Sequence, residues 1–354
     1  MSPPEEAADP RFRILSVDGG GIRGLISALA IKEIERRLSA KLGREARMAE
    51  FFHLFAGTST GGLIALALTS PKGLSASELA ALYVDDGPQI FSRGLGRRLG
   101  SVWGIGAPKY PAGPLRAAVE DRLGDSRVGD ATRDLLVTAY DMTRSEPHFF
   151  KRWRAQQSAE RNPPIADAAL ATAAAPTYFP SHGFHGRALV DGGVFAANPS
   201  VAAIAEALGR QSDEPAALAP DELFLVSIGT GEFETGYGQG KVSRWGKLGW
   251  IAGGGSEPPI LGAMLGGASD GADYWAHMLL NHARGEGVPS PGELGRGPRY
   301  YRLQTKLQEP VAMDDAGRET LRDHLPAAAR RLIEQRSTEL DAIVATLDAA
   351  GPIA

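Results

Sequence analysis

Apolar positions along the chain alternate between two spacings. Phe12 to Val17 (FRILSV) is a short apolar run, partly β-branched, of buried-strand length. It runs straight into Asp18-Gly-Gly-Gly-Ile-Arg-Gly24. From there Leu25, Leu29, Ile34, Leu38 and Leu42 recur at helical spacing, Glu33 and Arg37 form an i,i+4 pair, and Gly43 supplies a stop. The same sequence of events follows at once. A strand over Phe51 to Ala56 ends in a turn at Ser59, and a helix continues to about Leu68. Strand, glycine turn and helix, twice within 70 residues, predict an α/β fold with a mostly parallel central sheet flanked by helices.

Further along, Ser75-Ala-Ser-Glu78 is a capping box that opens a helix to about Val84. Residues 92 to 113 read as a long surface loop carrying Arg93, Arg97, Arg98, Trp103, Lys109 and Tyr110. A helix near 114 to 123 precedes a strand over Asp134 to Tyr140, with His148 to Trp153 as its neighbour. Ile165 to Ala175 is Ala-rich and helical, closed by Pro176. Ala188 to Val190 is a strand ending on Asp191-Gly192-Gly193, Asn198-Pro199 leads into a helix, and Leu223 to Ile228 is a strand ending in Gly229-Thr230-Gly231. Residues 232 to 298 are Gly-rich and read as the least regular part. Arg299 to Leu303 returns to strand character, and one long amphipathic helix is expected from Ala327 to Ala349. With no repeat and no clean composition break, residues 1–10 read as a disordered tail and 11–354 as one domain with long loop insertions.

Composition narrows the chemistry. The formal net charge of -4 argues against a nucleic-acid polymer as partner. The absence of cysteine removes disulfides, thiolate metal sites and cysteine nucleophiles. The acidic, Pro-rich start MSPPEEAADP has no apolar core of a secretory signal, and no run is long enough to span a bilayer, so a cytoplasmic location is expected.

Three glycine clusters could carry chemistry. Gly57-Thr-Ser59-Thr-Gly61 has the G-x-S-x-G form, in which a sharp strand-to-helix turn lifts a serine hydroxyl out of the scaffold. Gly19, Gly20 and Gly21, between a strand and a helix, expose backbone N–H groups suited to a phosphate or to the oxyanion of an acyl intermediate. A nucleotide loop is the rival reading, but G-x-G-x-x-G phasing and the P-loop pattern are both missing. Asp191 stands at a strand end, either as a turn former or as a base for a serine. Of the histidines, His277, His282 and His324 follow Asp191, so a Ser–Asp–His order stays open, yet none has a distinctive setting. His182 and His185 lack the carboxylate set of a metal centre, and no cofactor is expected.

Taken together, D-G-G-G-I-R-G at 18–24, G-T-S-T-G at 57–61 and D-G-G at 191–193 resemble the patatin-like phospholipases. The likeness takes in Ala174-Ala-Pro-Thr-Tyr-Phe179 and Asn198-Pro199, and spans about residues 11 to 231. It implies a Ser59–Asp191 dyad, an oxyanion hole from Gly19, Gly20 and Gly21, and Arg23 holding that loop in place. The implied reaction is hydrolysis of glycerophospholipid acyl esters at a membrane surface. Some bacterial members of this kind are switched on by a cyclic nucleotide in anti-phage defence. That adds a cyclic di- or trinucleotide activator to the expected partners, with self-association left open. An esterase or thioesterase for small acyl substrates and a non-catalytic anion-binding module are the alternatives. Residues 241 to 265, with Lys241, Arg244, Trp245, Lys247, Trp250 and Ile251, read either as an interfacial segment or as aromatics packed under a Gly-rich loop.

Overall fold

Alternate residues of the central strands feed two separate cores, which is why these segments are apolar without a break. In β1 (Phe12–Val17), Leu15 and Val17 enter one core and Ile14 the other. In the strand Leu223–Ile228, Phe224, Val226 and Ile228 face one way and Leu223 and Leu225 the other. The computed structural model describes residues 10–92, 107–209, 218–233, 236–252, 258–282, 289 and 293–353. The tail expected at 1–10 lies, except for Pro10, outside them.

The remaining strands are β2 (Leu54–Thr58), β3 (Asp134–Asp141), β4 (Glu146–Lys151), β5 (His182–Phe184), β6 (Arg187–Asp191), β7 (Leu223–Ile228) and β8 (Tyr300–Leu303). They form one eight-stranded sheet in the order β5-β6-β3-β2-β1-β7-β8, with β4 paired to β3. β3, β2, β1, β7 and β8 are mutually parallel, β4 and β6 run antiparallel to β3, and β5 runs antiparallel to β6. The fold is α/β with a mostly parallel sheet between helical layers, as the pattern predicts.

Helix α1 (Gly24–Leu42) ends on Gly43, whose φ of 67° makes the left-handed cap that glycine adopts without steric cost. α2 (Thr60–Thr69) follows β2 directly, and α3 (Ala76–Asp85) opens on the capping box, the Ser75 hydroxyl accepting from the Glu78 amide at 3.2 Å. α4 (Gly113–Leu123), α5 (Ile165–Thr172) and α6 (Ser200–Gly209) lie close to their expected positions.

Several expectations are corrected. The second strand is Leu54–Thr58, because Phe51 and Phe52 pack in a turn before it. The neighbour of β3 stops at Lys151, and Trp153 belongs to a short helix, Arg152–Gln157. Within the stretch read as least regular lies α7 (Pro259–Leu280), 22 residues long. The single C-terminal helix is two, α8 (Leu325–Gln335) and α9 (Ser337–Ala350), broken at Arg336. Both lie on α1, where Arg37 donates to the carbonyl of Ser337 at the break and pairs with Asp341.

Candidate active site

β3 has two edges, and the way they are shared creates the site. Leu136, Val137 and Thr138 face β4 on one edge and β2 on the other. Ala139 faces His148 of β4 and Asp191 of β6. β6 therefore takes over the edge that β2 vacates, and the rung Thr58–Thr138 is followed by the rung Asp191–Ala139. The residue after Thr58 is Ser59. Its hydroxyl is a neighbour of the Asp191 carboxylate, near enough to favour the ionised form.

The backbone around Ser59 is under strain. Its φ is 55° and its ψ -122°, a conformation that costs a non-glycine residue on the order of 1–3 kcal/mol. Its amide donates to Thr172 Oγ1 at 2.8 Å, which pins the turn to the end of α5. No side chain fits beside it: a Cβ on Gly57 would sit 2.1 Å from the Gly61 carbonyl oxygen, and one on Gly61 2.1 Å from that of Val17. The turn thus brings β2, α2 and the end of β1 into backbone contact, with the positive end of the α2 dipole beside the serine.

Asp191 is 5 % exposed. Burial pushes its carboxyl up to about 6, against the Ser59 hydroxyl and the donating Gly193 amide, which hold it down. The Gly193 bond is 2.7 Å long. The segment that follows ties the three glycine clusters together. The Ala196 carbonyl accepts from Thr58 Oγ1 at 2.6 Å and the Ala197 carbonyl from the Gly19 amide at 2.9 Å. Asn198 Oδ1 accepts from the Ser200 amide at the start of α6. Three motifs far apart in the sequence are therefore parts of one clamp.

The clamp bears on two of the expected roles. The Gly19 amide is engaged by Ala197, which leaves Gly20 and Gly21 as the amides without a partner among the described residues. Arg23 Nε has no hydrogen-bond partner among the described residues, and the Arg23 backbone amide donates to the Gly20 carbonyl. The loop is held from the C-terminal part of the chain. Thr230 Oγ1 donates to the Gly19 carbonyl, the Ile22 amide donates to the Met313 carbonyl, and Arg302 on β8 makes two bonds to Asp18 at 2.9 and 2.5 Å.

Arg302 was not singled out in the sequence. It is 4 % exposed and also donates to Ser227 and to Ser269 on α7. Burial raises the Asp18 carboxyl and Arg302 opposes the rise; burial would lower Arg302, and the charge and hydrogen bonds of Asp18 raise it instead. A charge inside an apolar strand was the available signal, since a buried cation needs a partner. Arg13 in β1 gives the same signal, and its guanidinium donates to the Gly351 carbonyl, away from the glycine loop.

Ser59, Asp191 and the glycine loop line a cavity of about 710 Å³, within the roughly 300–1,000 Å³ of small-molecule sites. Its walls are mostly apolar, with Leu63, Leu79, Leu82, Phe91, Leu115 and Phe179 among them. No histidine lines it among the described residues. His53 stacks on Phe12 and accepts from the Arg13 amide; His148 lies against Phe150 and Phe184; burial holds both rings down to about 4. Arg93, Arg97, Arg98 and Trp103, read as part of the 92–113 loop, lie outside the described residues.

Residues 15–204 match the family model described as "Patatin-like phospholipase". The chain is 30% identical over 367 residues to Patatin-like protein 1 of Oryza sativa subsp. indica, covering 96% of this chain and 85% of that one. It is 33% identical over 288 residues to Patatin-like protein 2 of Arabidopsis thaliana, covering 74% and 70%. Among solved structures it is loosely similar to VipD from Legionella pneumophila, with a TM-score of 0.38 at 12% identity over 93% of this chain and 68% of that one. The motif-bearing half of the chain and most of its length thus point the same way: the chain belongs to the patatin-like phospholipases, a family of lipid acyl hydrolases.

Proposed function

We propose that this protein hydrolyses glycerophospholipid acyl esters through a Ser59–Asp191 dyad. The observation that carries the reading is the serine hydroxyl beside a buried carboxylate at the wall of a large apolar cavity that no described histidine lines. Asp191 accepts the hydroxyl proton as Ser59 Oγ bonds to the acyl carbon, and the carbonyl electrons move onto oxygen. The free amides of Gly20 and Gly21 receive that oxyanion, each worth about 3–4 kcal/mol in the transition state. Collapse breaks the ester bond, and the leaving alkoxide takes the proton from Asp191. Water then attacks the acyl-enzyme with Asp191 again accepting a proton, which returns to Ser59 as the fatty acid leaves.

A base must be ionised to act. With burial holding Asp191 at about 6, kcat/KM is expected to rise as pH increases through about 6 and then level off. A pH profile on a soluble ester checks this; a limb near 4 would mean that the carboxylate is solvated. The direct test of the function is mass-spectrometric profiling of lipid vesicles treated with the pure protein beside its Ser59→Ala variant. Release of fatty acid and lysophospholipid by the wild type alone is expected. Turnover restricted to short soluble esters would favour the small-acyl esterase instead.

Activation by a cyclic di- or trinucleotide in anti-phage defence is a separate proposal, drawn from the family resemblance. Under it, vesicle hydrolysis rises when such a nucleotide is added; equal rates across a panel of them remove the idea.

A further inference from the structure

Seven of the eight large hydrophobic side chains exposed among the described residues lie between 248 and 279. They sit on two neighbouring helices, Lys247–Ala252 and α7, that form part of the cavity wall. A helix on the surface of a protein ordinarily turns one apolar face inward and a polar face to water. These two do not. Trp250, Leu261 and Leu265 line the cavity, while Leu248, Ile251, Ile260 and Met264 are absent from its lining and are 44–81 % exposed. Trp275 continues the outer side, because the eleven steps from Met264 to Trp275 make about three helical turns. From Ile260 to Trp275 this side spans about 22 Å. Exposed large apolar side chains concentrated in this way mark an interaction face.

Charge identifies the partner. Residues 236–252 contain Lys241, Arg244 and Lys247 and no carboxylate, in a chain whose net charge is -4. All three basic side chains are exposed. Lys241 lies over the rings of Tyr237 and Trp245, and Trp245 packs edge-on to Trp250, so cations and aromatics share one cluster at the cavity wall. Basic and aromatic groups bordering an apolar stripe match the depth profile of an anionic bilayer surface. Both readings left open for this segment therefore apply, on opposite sides of the same helices.

We propose that the outer face of these two helices is the surface by which the protein docks on anionic phospholipid membranes. Leu248, Ile251, Ile260 and Met264 enter the acyl-chain region, and Lys241, Arg244 and Lys247 meet the headgroups. The inner apolar face then continues from the leaflet into the cavity, giving an acyl chain a path from bilayer to Ser59 without crossing water. This deepens the function proposed above and rests on it for the substrate, but docking itself needs no turnover.

The test uses the full chain with Ser59→Ala, so that vesicles stay intact, in co-sedimentation with phosphatidylcholine vesicles with and without phosphatidylglycerol. Adding Leu248→Ser and Ile251→Ser is expected to weaken binding by roughly tenfold or more. Adding Arg244→Gln and Lys247→Gln is expected to abolish the preference for phosphatidylglycerol. In the Ser59 background, the Leu248→Ser/Ile251→Ser protein should hydrolyse a soluble short-chain ester at the wild-type rate. Unchanged vesicle binding by the Leu248→Ser/Ile251→Ser protein would overturn the proposal. So would its conversion from dimer to monomer with vesicle binding intact, which would make the face a contact between copies. A wild type that binds vesicles through this face yet cleaves no ester supports docking and removes the proposed function alone.

Discussion

Ser59→Ala is expected to lower ester hydrolysis by on the order of 10⁴- to 10⁶-fold, since removing the nucleophile of a serine hydrolase leaves only binding and oxyanion stabilisation. Its melting temperature should barely move, because alanine keeps the strained backbone at φ 55° and removes only a polar neighbour of a carboxylate that is itself costly to bury. Ser59→Gly should be equally inactive and more stable by about 1 kcal/mol, glycine being at ease at that φ. Asp191→Asn should also abolish hydrolysis, and its stability carries a distinct signature. Asp191 binds its proton more tightly folded (about 6) than unfolded (about 3.8), so the wild type loses stability as pH rises between those values. Above pH 6 the variant, which has no charge to bury, should be more stable by up to about 3 kcal/mol, and below pH 4 that advantage should vanish. Urea denaturation at pH 4 and pH 7.5 measures the difference. An advantage independent of pH would mean that the carboxylate is not strained by burial.

Arg302→Met is the second large effect. It strands the Asp18 carboxylate in a site that is 4 % exposed, and breaking a buried pair from one side costs about 3–5 kcal/mol. Arg302→Lys should rescue little. One ammonium cannot reproduce a fork that reaches both Asp18 oxygens, Ser227 and Ser269. The informative protein is the double variant Arg302→Met with Asp18→Asn, which removes the stranded charge and should recover most of the stability. If the pair positions the glycine loop, kcat on a soluble ester stays at least tenfold down while KM changes little. Full recovery of kcat along with stability would reduce the pair to a purely structural one.

The sheet and most helices were legible because their residues follow one rule each. FRILSV and LFLVSI are apolar on both faces and buried on both, and Leu25 to Leu42 holds a helical period bounded by glycines. α7 was hidden by Gly262, Gly266, Gly267 and Gly271, each of which weakens a helix interior by about 1 kcal/mol relative to alanine. Packing overrides propensity there: Leu265, Ala272, Ala276 and Leu280 recur at steps of four and seven on the face that meets the cavity and α6. The break between α8 and α9 was invisible because the apolar stripe runs across it. Ser59, Asp191 and the glycine loop stand out in the sequence because tight turns demand glycine. What the sequence could not disclose was which amides are free. That depends on Ala197, Thr230 and Met313, ordinary residues whose role is only where their backbone and hydroxyl groups end up.

The fastening of the glycine loop by Arg302 and Met313 has a consequence for biosynthesis. Ser59 and Asp191 are both translated before residue 200, yet the loop proposed to receive the oxyanion waits for partners more than 100 residues further on. A chain still on the ribosome therefore holds the proposed nucleophile and base before the proposed anion site is fixed. Under the proposed mechanism, hydrolysis is expected only once residues 302–313 have emerged and folded.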